Sequence, residues 1–117
     1  MSQFNDNPVK SFPANVALEP HRLVLMNSSG NAAYTTAGSS YTGVTTNRAV
    51  TAGDKVAVKL RGQGGTAIVC VDGAVTRGGL IYTAASGKGS ATVSGSAIGQ
   101  ALETATADND EIECLLF

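Results

Sequence analysis

The residues that could do chemistry in this chain are few and widely separated. There is one histidine, His21, and there are two cysteines, Cys70 and Cys114. One imidazole cannot build a multi-histidine metal site within a single chain, and no nucleophile is recognisably spaced to use His21 as a base. We therefore expect His21 to be a surface or interface residue. Both cysteines lie in apolar runs outside any metal-binding motif, which predicts free, buried thiols.

Two further groups of residues could bind ligands. The stretches Gly62–Gly65 and Gly73–Gly79 are rich in glycine, but neither leads from a strand into a helix, so they predict β-turns and not phosphate cradles. Four carboxylates lie close together at Asp108, Asp110, Glu111 and Glu113. Their spacing lacks the glycine and the bidentate glutamate of a calcium loop, which favours a solvated turn running into an edge strand. The sequence thus predicts no catalytic, cofactor-binding or metal-binding residue, and we expect the chain not to be an enzyme.

The composition accounts for the small number of reactive side chains. Ala, Gly, Thr and Ser (17, 14, 12 and 10 residues) make up 45% of the 117 residues, whereas charged residues make up 15%. The net charge of −1 gives no basic excess for binding nucleic acid. The hydrophobic fraction of 43% is too high for a disordered tail. No apolar run is long enough to span a membrane, and no secretory signal is recognisable. We expect a small, weakly charged domain folded in a reducing cytoplasm.

The first 15 residues differ in composition from the rest of the chain. They are rich in Asn and Ser, and Pro8 and Pro13 exclude a regular helix and favour extended backbone. We expect residues 1–15 to form an extended arm outside the core. Such an arm has either no role or orders on a partner. The candidate contact residues on this arm are Phe4, Asn5, Pro8, Phe12 and Pro13.

From Val16 onward, short apolar runs alternate with turn signals every 8–12 residues or so, as in sandwiches and barrels. The clearest alternation of polar and apolar residues is in Lys55–Arg61, which predicts a strand with one solvent-exposed face. Thr66–Val71 is apolar on both faces, which predicts a more buried strand. Residues 16–117 are thus predicted to form one all-β domain, a small Gly/Ala-rich barrel or sandwich of about seven or eight short strands. The segment Ala97–Ala105 has apolar residues at helical spacing, but Gly99 disfavours a helix, so we interpret it as a strand ending in a turn. The other predicted strands are Arg22–Asn27, Ala32–Thr36, Leu80–Ala84, Ser90–Ser94 and Glu111–Phe117.

One short motif occurs twice. Ala49–Gly53 and Ala74–Gly78 both read AVTxG and both precede a predicted strand. A glycine at the end of such a turn is typical of backbone with positive φ. The two copies predict a duplicated corner within one small barrel.

The order of these features resembles that of the capsid cement (head decoration) proteins of tailed bacteriophages. Two departures are Gly79, where the family more often has Asp, and the N-terminal arm, which matches no family pattern. The elements that carry the resemblance are Arg22–Val24, Tyr41–Thr45, Ala52–Val58, Gly73–Leu80, Ser86–Gly89, Ile98–Ala105 and Glu111–Leu116.

The resemblance implies a structural virion protein, made in the host bacterial cytoplasm. Such a protein binds the outer surface of an icosahedral head as a trimer at threefold or quasi-threefold positions and braces neighbouring major capsid subunits. The resemblance implies no cofactor, no direct contact with DNA and no membrane. The alternatives are another virion part, such as a tail tube or a head-fibre base, or a carbohydrate-binding or adhesive β-domain. Sugar sites stack on exposed aromatic rings, which are scarce here (Tyr34, Tyr41, Tyr82).

Overall fold

The computed structural model describes residues 9–62 and 65–117, and the fold is all-β, as predicted. All eight pairings between the named strands are antiparallel. A 3-10 turn at Ala85–Gly87 interrupts the strand succession. The strands are β1 (Val9–Pro13), β2 (Leu23–Met26), β3 (Ala32–Tyr34), β4 (Gly43–Thr45), β5 (Lys55–Leu60), β6 (Thr66–Cys70), β7 (Leu80–Thr83), β8 (Gly89–Ser90), β9 (Gly99–Ala101) and β10 (Glu111–Leu116).

The ten strands form two sheets with the same topology. The first sheet has the order β1-β5-β4-β2-β3, and the second has the order β6-β10-β9-β7-β8. Adding five to each strand number of the first sheet gives the second. Val9 and Thr66, which begin β1 and β6, are 57 positions apart (66 − 9), and from β4 onward the offset is 56, as between Lys55 and Glu111 (111 − 55). The chain is therefore an internal duplication of a first half (residues 9–62) and a second half (residues 65–117).

Isolated bridges outside the strands repeat the same duplication. In each half, a parallel bridge joins the end of the first strand to the third strand and so connects the two edges of the sheet into a small barrel. An antiparallel bridge then ties the segment after the first strand to the segment before the fifth. The bridged pairs are Ala14–Ala32 and Leu18–Ala49 in the first half, and Val71–Gly89 and Val75–Ala105 in the second.

Each half encloses its own apolar core. Alternate residues of each strand point inward, as period-two side-chain placement requires, and equivalent positions in the two halves carry apolar side chains of different shape. The first core includes Phe12, Leu18, Val24, Val56 and Val58, and the second includes Val69, Val75, Ile81, Ile112 and Cys114.

The expectation that residues 1–15 form an arm outside the core is wrong for Val9–Ala14. Val9–Pro13 is strand β1, which pairs with β5 along its whole length. Phe12 is 7% exposed and belongs to the first core. Pro13 is compatible with a strand here because β1 is an edge strand of its sheet. The chain divides between its two halves at residues 63–64, and not at residue 15.

The AVTxG motif correctly predicts two turns that end in glycine, but these turns are not equivalent corners of the two halves. Gly53 and Gly78 both have positive φ, 92° and 85°. In the duplication, however, Gly53 is equivalent to Asn109 and Gly78 to His21, and these two residues also have positive φ, 71° and 62°. The two copies of the motif therefore lie at different corners of the barrel, and the prediction of one duplicated corner is wrong.

Three strand predictions also need correction. Predicted strand Ser90–Ser94 is reduced to Gly89–Ser90, because the Ser90 hydroxyl accepts a hydrogen bond from Thr92 N (3.1 Å) and replaces the ladder. β6 is an edge strand on which Ile68 is exposed, and so is less buried than predicted. β10 lies between β6 and β9, so the acidic turn leads into an interior strand and not an edge strand.

Candidate interaction surfaces

The two halves pack against each other through the outward face of the first barrel. Leu23 and Val44 point away from the first core and lie in the second core instead. They are 0% and 1% exposed. The 57- and 56-residue offsets make them equivalent to Leu80 and Gln100 of the second half. The junction thus buries a face of the first half whose counterpart on the second half is a separate surface.

Polar contacts fix the junction. Cys70 N donates to His21 O (2.8 Å), and Arg22 Nη1 donates to Ser86 O (2.9 Å). Thr83 Oγ1 donates to Ser39 O (3.0 Å). His21 is half-buried at the junction and contributes its backbone carbonyl oxygen to this contact.

A cleft of about 600 Å³ opens at the other end of the junction. The Tyr41 hydroxyl lies 2.9 Å from Phe117 O and 3.3 Å from Ile98 O, and the Arg61 guanidinium stands 5.5 Å from the Tyr41 ring centroid. Burial raises the pKa of Tyr41, and Arg61 opposes this rise. The phenol is therefore a protonated hydrogen-bond donor that ties the first half to two backbone carbonyl groups of the second half. The cleft is lined by residues 38–41, 61–62, 96–98 and 117.

Three of the four carboxylates predicted as a solvated turn, those of Asp108, Asp110 and Glu113, make local polar contacts. Asp108 pairs with Lys88 Nζ at 2.9 Å, and this hydrogen bond lowers the pKa of Asp108. Asp110 accepts hydrogen bonds from Thr106 N and Ala107 N, which lower the pKa of Asp110. Across residues 9–62 and 65–117, no three His, Cys, Asp or Glu side chains are grouped to hold a metal ion.

Both cysteines are free and buried, as predicted. Burial raises the pKa of Cys114 to about 12, and the carboxylates of Glu103 and Glu113 add to the rise. A thiol with so high a pKa forms almost no thiolate at neutral pH, and the thiolate is the nucleophile. Cys114 therefore fills space in the second core.

The net charge of the chain conceals opposite charges on the two halves. The first half carries six Lys or Arg and two Asp or Glu, which gives +4. The second half carries two Lys or Arg and six Asp or Glu, which gives −4, and Asp6, which precedes both halves, accounts for the net charge of −1. Sequence reasoning missed this division because the signal appears only when the chain is cut at residues 63–64, between the two copies of the fold.

The outward face of the second barrel carries three exposed apolar side chains. Gln100 lies between Leu115 and Leu80, which are directly opposite it on the two neighbouring strands. Glu113 lies opposite Ile68 one row away. Leu80 is 46% exposed, and Ile68 and Leu115 are exposed as well. We call these residues the second-half face: Ile68, Leu80, Gln100, Glu113 and Leu115.

The structure separates the contact residues that the sequence predicted. Phe4, Asn5 and Pro8 lie outside the described residues. Phe12 lies in the first core, and Pro13 is half-buried opposite Lys55. The prediction that the Phe12 side chain docks on a partner is therefore wrong, because this side chain is buried in the first core.

These features define an all-β structural protein built from two small barrels, and comparisons with known proteins place it in a family. Residues 5–116 match the family described as phage cement protein. The chain therefore belongs to this family and is a structural protein of a phage capsid. Comparison with curated proteins gives no match.

The fold has a counterpart among solved structures. The crystal structure of the head fiber gp8.5 N base in bacteriophage phi29 superposes with a TM-score of 0.76 and 15% sequence identity. The match covers 93% of this chain and 92% of that chain. At this identity the likeness concerns the fold alone. In the described part of the chain, no helix is long and apolar enough to cross a membrane.

Proposed function

We propose that this chain binds the outer surface of an icosahedral phage head as a trimer at threefold or quasi-threefold positions. There it braces neighbouring major capsid subunits and has no catalytic role. The match of residues 5–116 to the cement family carries the proposal. The two small barrels support it, because each has its own closed sheet and core. Their surface offers contact area and charge to a protein partner.

The residues ahead of β1 make the contact with the coat in this proposal. β1 is an edge strand, so the chain enters the first barrel at an edge and not through its core. Phe4, Asn5 and Pro8 precede this entry point. Phe4 supplies an apolar anchor, and Pro8 restricts the backbone just before the barrel.

Deletion of residues 2–8 tests this contact without removing any described strand. We expect the truncated protein to keep the unfolding temperature of the full chain and to lose binding to heads that lack this protein, measured by co-sedimentation. The single variant Phe4→Ala should reproduce most of the loss if Phe4 is the anchor. Lys10→Ala, an exposed position in β1, is the matched control and should bind normally. Unchanged binding after the deletion would contradict the proposed contact.

The likeness to a phage head fibre base favours a second candidate, in which the two barrels anchor a fibre on the head. The two functions differ in their effect on the capsid. A cement protein stabilises filled heads against heat or chelator, whereas a fibre base leaves the release temperature of DNA unchanged. Comparing DNA release from heads with and without the protein separates them.

A further inference from the structure

The cleft at the end of the junction, here called the Arg61 cleft, contains a cation without a partner in the described chain. Arg61 is the only charged side chain among the residues that line this cleft of about 600 Å³, and it is exposed. Across residues 9–62 and 65–117, ion pairs join Arg48 to Glu19 and Lys88 to Asp108, and none involves Arg61. The Arg61 cleft therefore favours an acidic occupant.

The same cleft offers an apolar surface beside this charge. Phe117 is 53% exposed and lines the cleft together with the Tyr41 ring and Ile98. The volume falls in the range of pockets that bind small molecules, which is more than enough for one aromatic side chain. The Arg61 cleft thus fits a segment that carries an aromatic ring and a carboxylate close together.

The residues ahead of β1 carry this combination. Residues 1–8 contain one aromatic side chain, Phe4, and one charged side chain, Asp6. In extended backbone, residues two positions apart point to the same side, and Pro8 favours extended backbone at Asn7 before it. Phe4 and Asp6 can therefore enter one cleft together.

The chain also enters the first barrel at the end where the Arg61 cleft lies. β1 and β5 are antiparallel with Val9 opposite Lys59, and β5 leads directly into Arg61. Two strand spacings, about 10 Å, separate β1 from β4, and Tyr41 lies just ahead of β4. Phe4 precedes Val9 by five positions, which span up to about 16 Å when extended. Phe4 is therefore within reach of the cleft.

We propose that residues 2–8 dock in the Arg61 cleft of their own molecule. The Asp6 carboxylate pairs with the Arg61 guanidinium, and the Phe4 ring lies against Phe117. Docking supplies the missing negative charge and covers the apolar surface. Because the tether is short, the effective concentration of the segment at the cleft is on the order of millimolar, so docking requires no second copy of the chain.

Docking has a consequence for binding to heads. The proposed function places Phe4 against the coat, so Phe4 leaves the cleft when the protein binds. The cleft and the coat then compete for one side chain, and the apparent affinity for heads is reduced by the fraction of molecules in which the segment is free. Only this consequence rests on the proposed function, since docking itself is a property of the free protein.

Cleavage of the full-length protein by chymotrypsin after Phe4 reports on docking, because a docked segment is protected. Arg61→Glu removes the pairing cation and leaves the sequence around the cleaved bond unchanged. Lys55→Glu is the matched control, because it makes the same charge change at an exposed residue at the other end of β5. Mass spectrometry follows the loss of residues 1–4, and circular dichroism checks that the variants are folded.

We expect Arg61→Glu to be cleaved about two- to fivefold faster than wild type, which is the size of effect that an exposed ion pair gives. Lys55→Glu should be cleaved at the wild-type rate. Equal rates for wild type and Arg61→Glu would overturn the proposal.

A charge exchange distinguishes pairing from a merely structural role of Arg61. In Asp6→Arg two cations face each other, so we expect rapid cleavage. Adding Arg61→Glu to Asp6→Arg restores an ion pair of reversed polarity and should slow cleavage, which is the opposite of its effect on wild type. A change in the same direction in both backgrounds would overturn the pairing of Asp6 with Arg61.

Protein concentration identifies the molecule that supplies the segment. Protection that is the same at about 5 µM and about 200 µM supports docking within one molecule. Protection that increases with concentration would assign the Arg61 cleft to the segment of a second copy and overturn the proposal.

Co-sedimentation with heads tests the proposed function separately. We expect Arg61→Glu to bind heads more tightly than wild type and Lys55→Glu, because its Phe4 is free. Weaker binding of Arg61→Glu would contradict the competition between cleft and coat. Protection that depends on Arg61 in a protein that never binds heads would support docking and contradict the proposed function.

Discussion

The two halves of this protein share one fold and differ in almost everything outside it. Their strand orders, bridges and inward positions coincide, yet one carries +4 and the other −4. One buries its outward face at Leu23 and Val44, and the other leaves it open at Leu80. The difference teaches that the barrel constrains inward positions and turns, whereas the outward residues are free to diverge in charge and exposure.

Some constraints keep their geometry while the residue type changes. Asn47 Oδ1 accepts a hydrogen bond from Ala57 N (2.8 Å) in the first half. At the equivalent place in the second half, Glu103 Oε1 accepts one from Glu113 N (2.7 Å). The backbone donor needs an acceptor at this position, and either an amide or a carboxylate supplies it. The charge difference between the halves therefore arises without cost to this contact.

The largest effect is expected at the core position that the two halves fill differently. Phe12 is equivalent to Val69, so the first core depends on one large ring. We expect Phe12→Ala to lower the free energy of unfolding by about 3–5 kcal/mol, because it removes a buried aromatic side chain and leaves a cavity. Val69→Ala removes fewer atoms and should cost less. Urea unfolding measures both. An unchanged midpoint for Phe12→Ala would mean that Phe12 does not contribute to the core and lies in an arm outside it.

The next effect tests a constraint that the halves share. A Cβ atom at Gly43 or at the equivalent Gly99 would lie less than 3.0 Å from a backbone carbonyl oxygen, of Lys59 or Leu115. We expect Gly43→Ala and Gly99→Ala each to lower stability by about 1–3 kcal/mol through overpacking. Gly73→Ala is the control, since the space around Gly73 is open and its equivalent is Val16. Thermal unfolding of the three variants gives the ranking, and equal values for all three would break the comparison.

A smaller effect tests whether the cores are interchangeable. Cys114 is equivalent to Val58, and both side chains are fully buried. Cys114→Val transfers the first-half residue into the second half, and we expect a change of less than about 1.5 kcal/mol because the volumes are similar. Denaturant titration under reducing conditions measures it. A much larger loss would mean that the two cores differ in shape and not only in residue type.

The smallest effect concerns the acidic turn. Asp110 accepts two backbone hydrogen bonds where its equivalent, Asp54, accepts one from Thr51 N. These bonds lower the pKa of Asp110, so its stabilising contribution is complete above the ordinary carboxyl pKa of about 4 and is lost as pH falls through the lower folded value. Asp110→Asn should therefore lower the unfolding temperature slightly at pH 7, and the difference from wild type should shrink as the pH falls below the ordinary carboxyl pKa. A difference that does not shrink in acid would contradict this origin.

The sequence predicts the parts of the fold that local patterns encode. The alternation in Lys55–Leu60 and the turn glycines Gly53 and Gly78 are visible in single segments, and the structure confirms them. β4 has only three residues, too few to show a period of two. β1 contains Pro13, which excludes a central strand but not an edge strand. The duplication is hidden because inward positions need only be apolar, as Phe12 and Val69 illustrate.

The candidate surfaces are harder to predict than the fold. Leu23 and Leu80 are the same residue at equivalent positions, yet one is buried and the other exposed. No local pattern distinguishes them, because only the packing of the two barrels against each other decides which of the two equivalent faces is covered. The opposite charges of the two halves can be recognised in the sequence only after the duplication shows where the first half ends and the second begins.

A density map of the assembled phage head, at a resolution that places side chains, tests the central claim most directly. We expect this chain on the outer surface at threefold or quasi-threefold positions, with Phe4 against the coat. A chain located on the tail, or a chain on the head whose Phe4 makes no contact with the coat, would contradict the account.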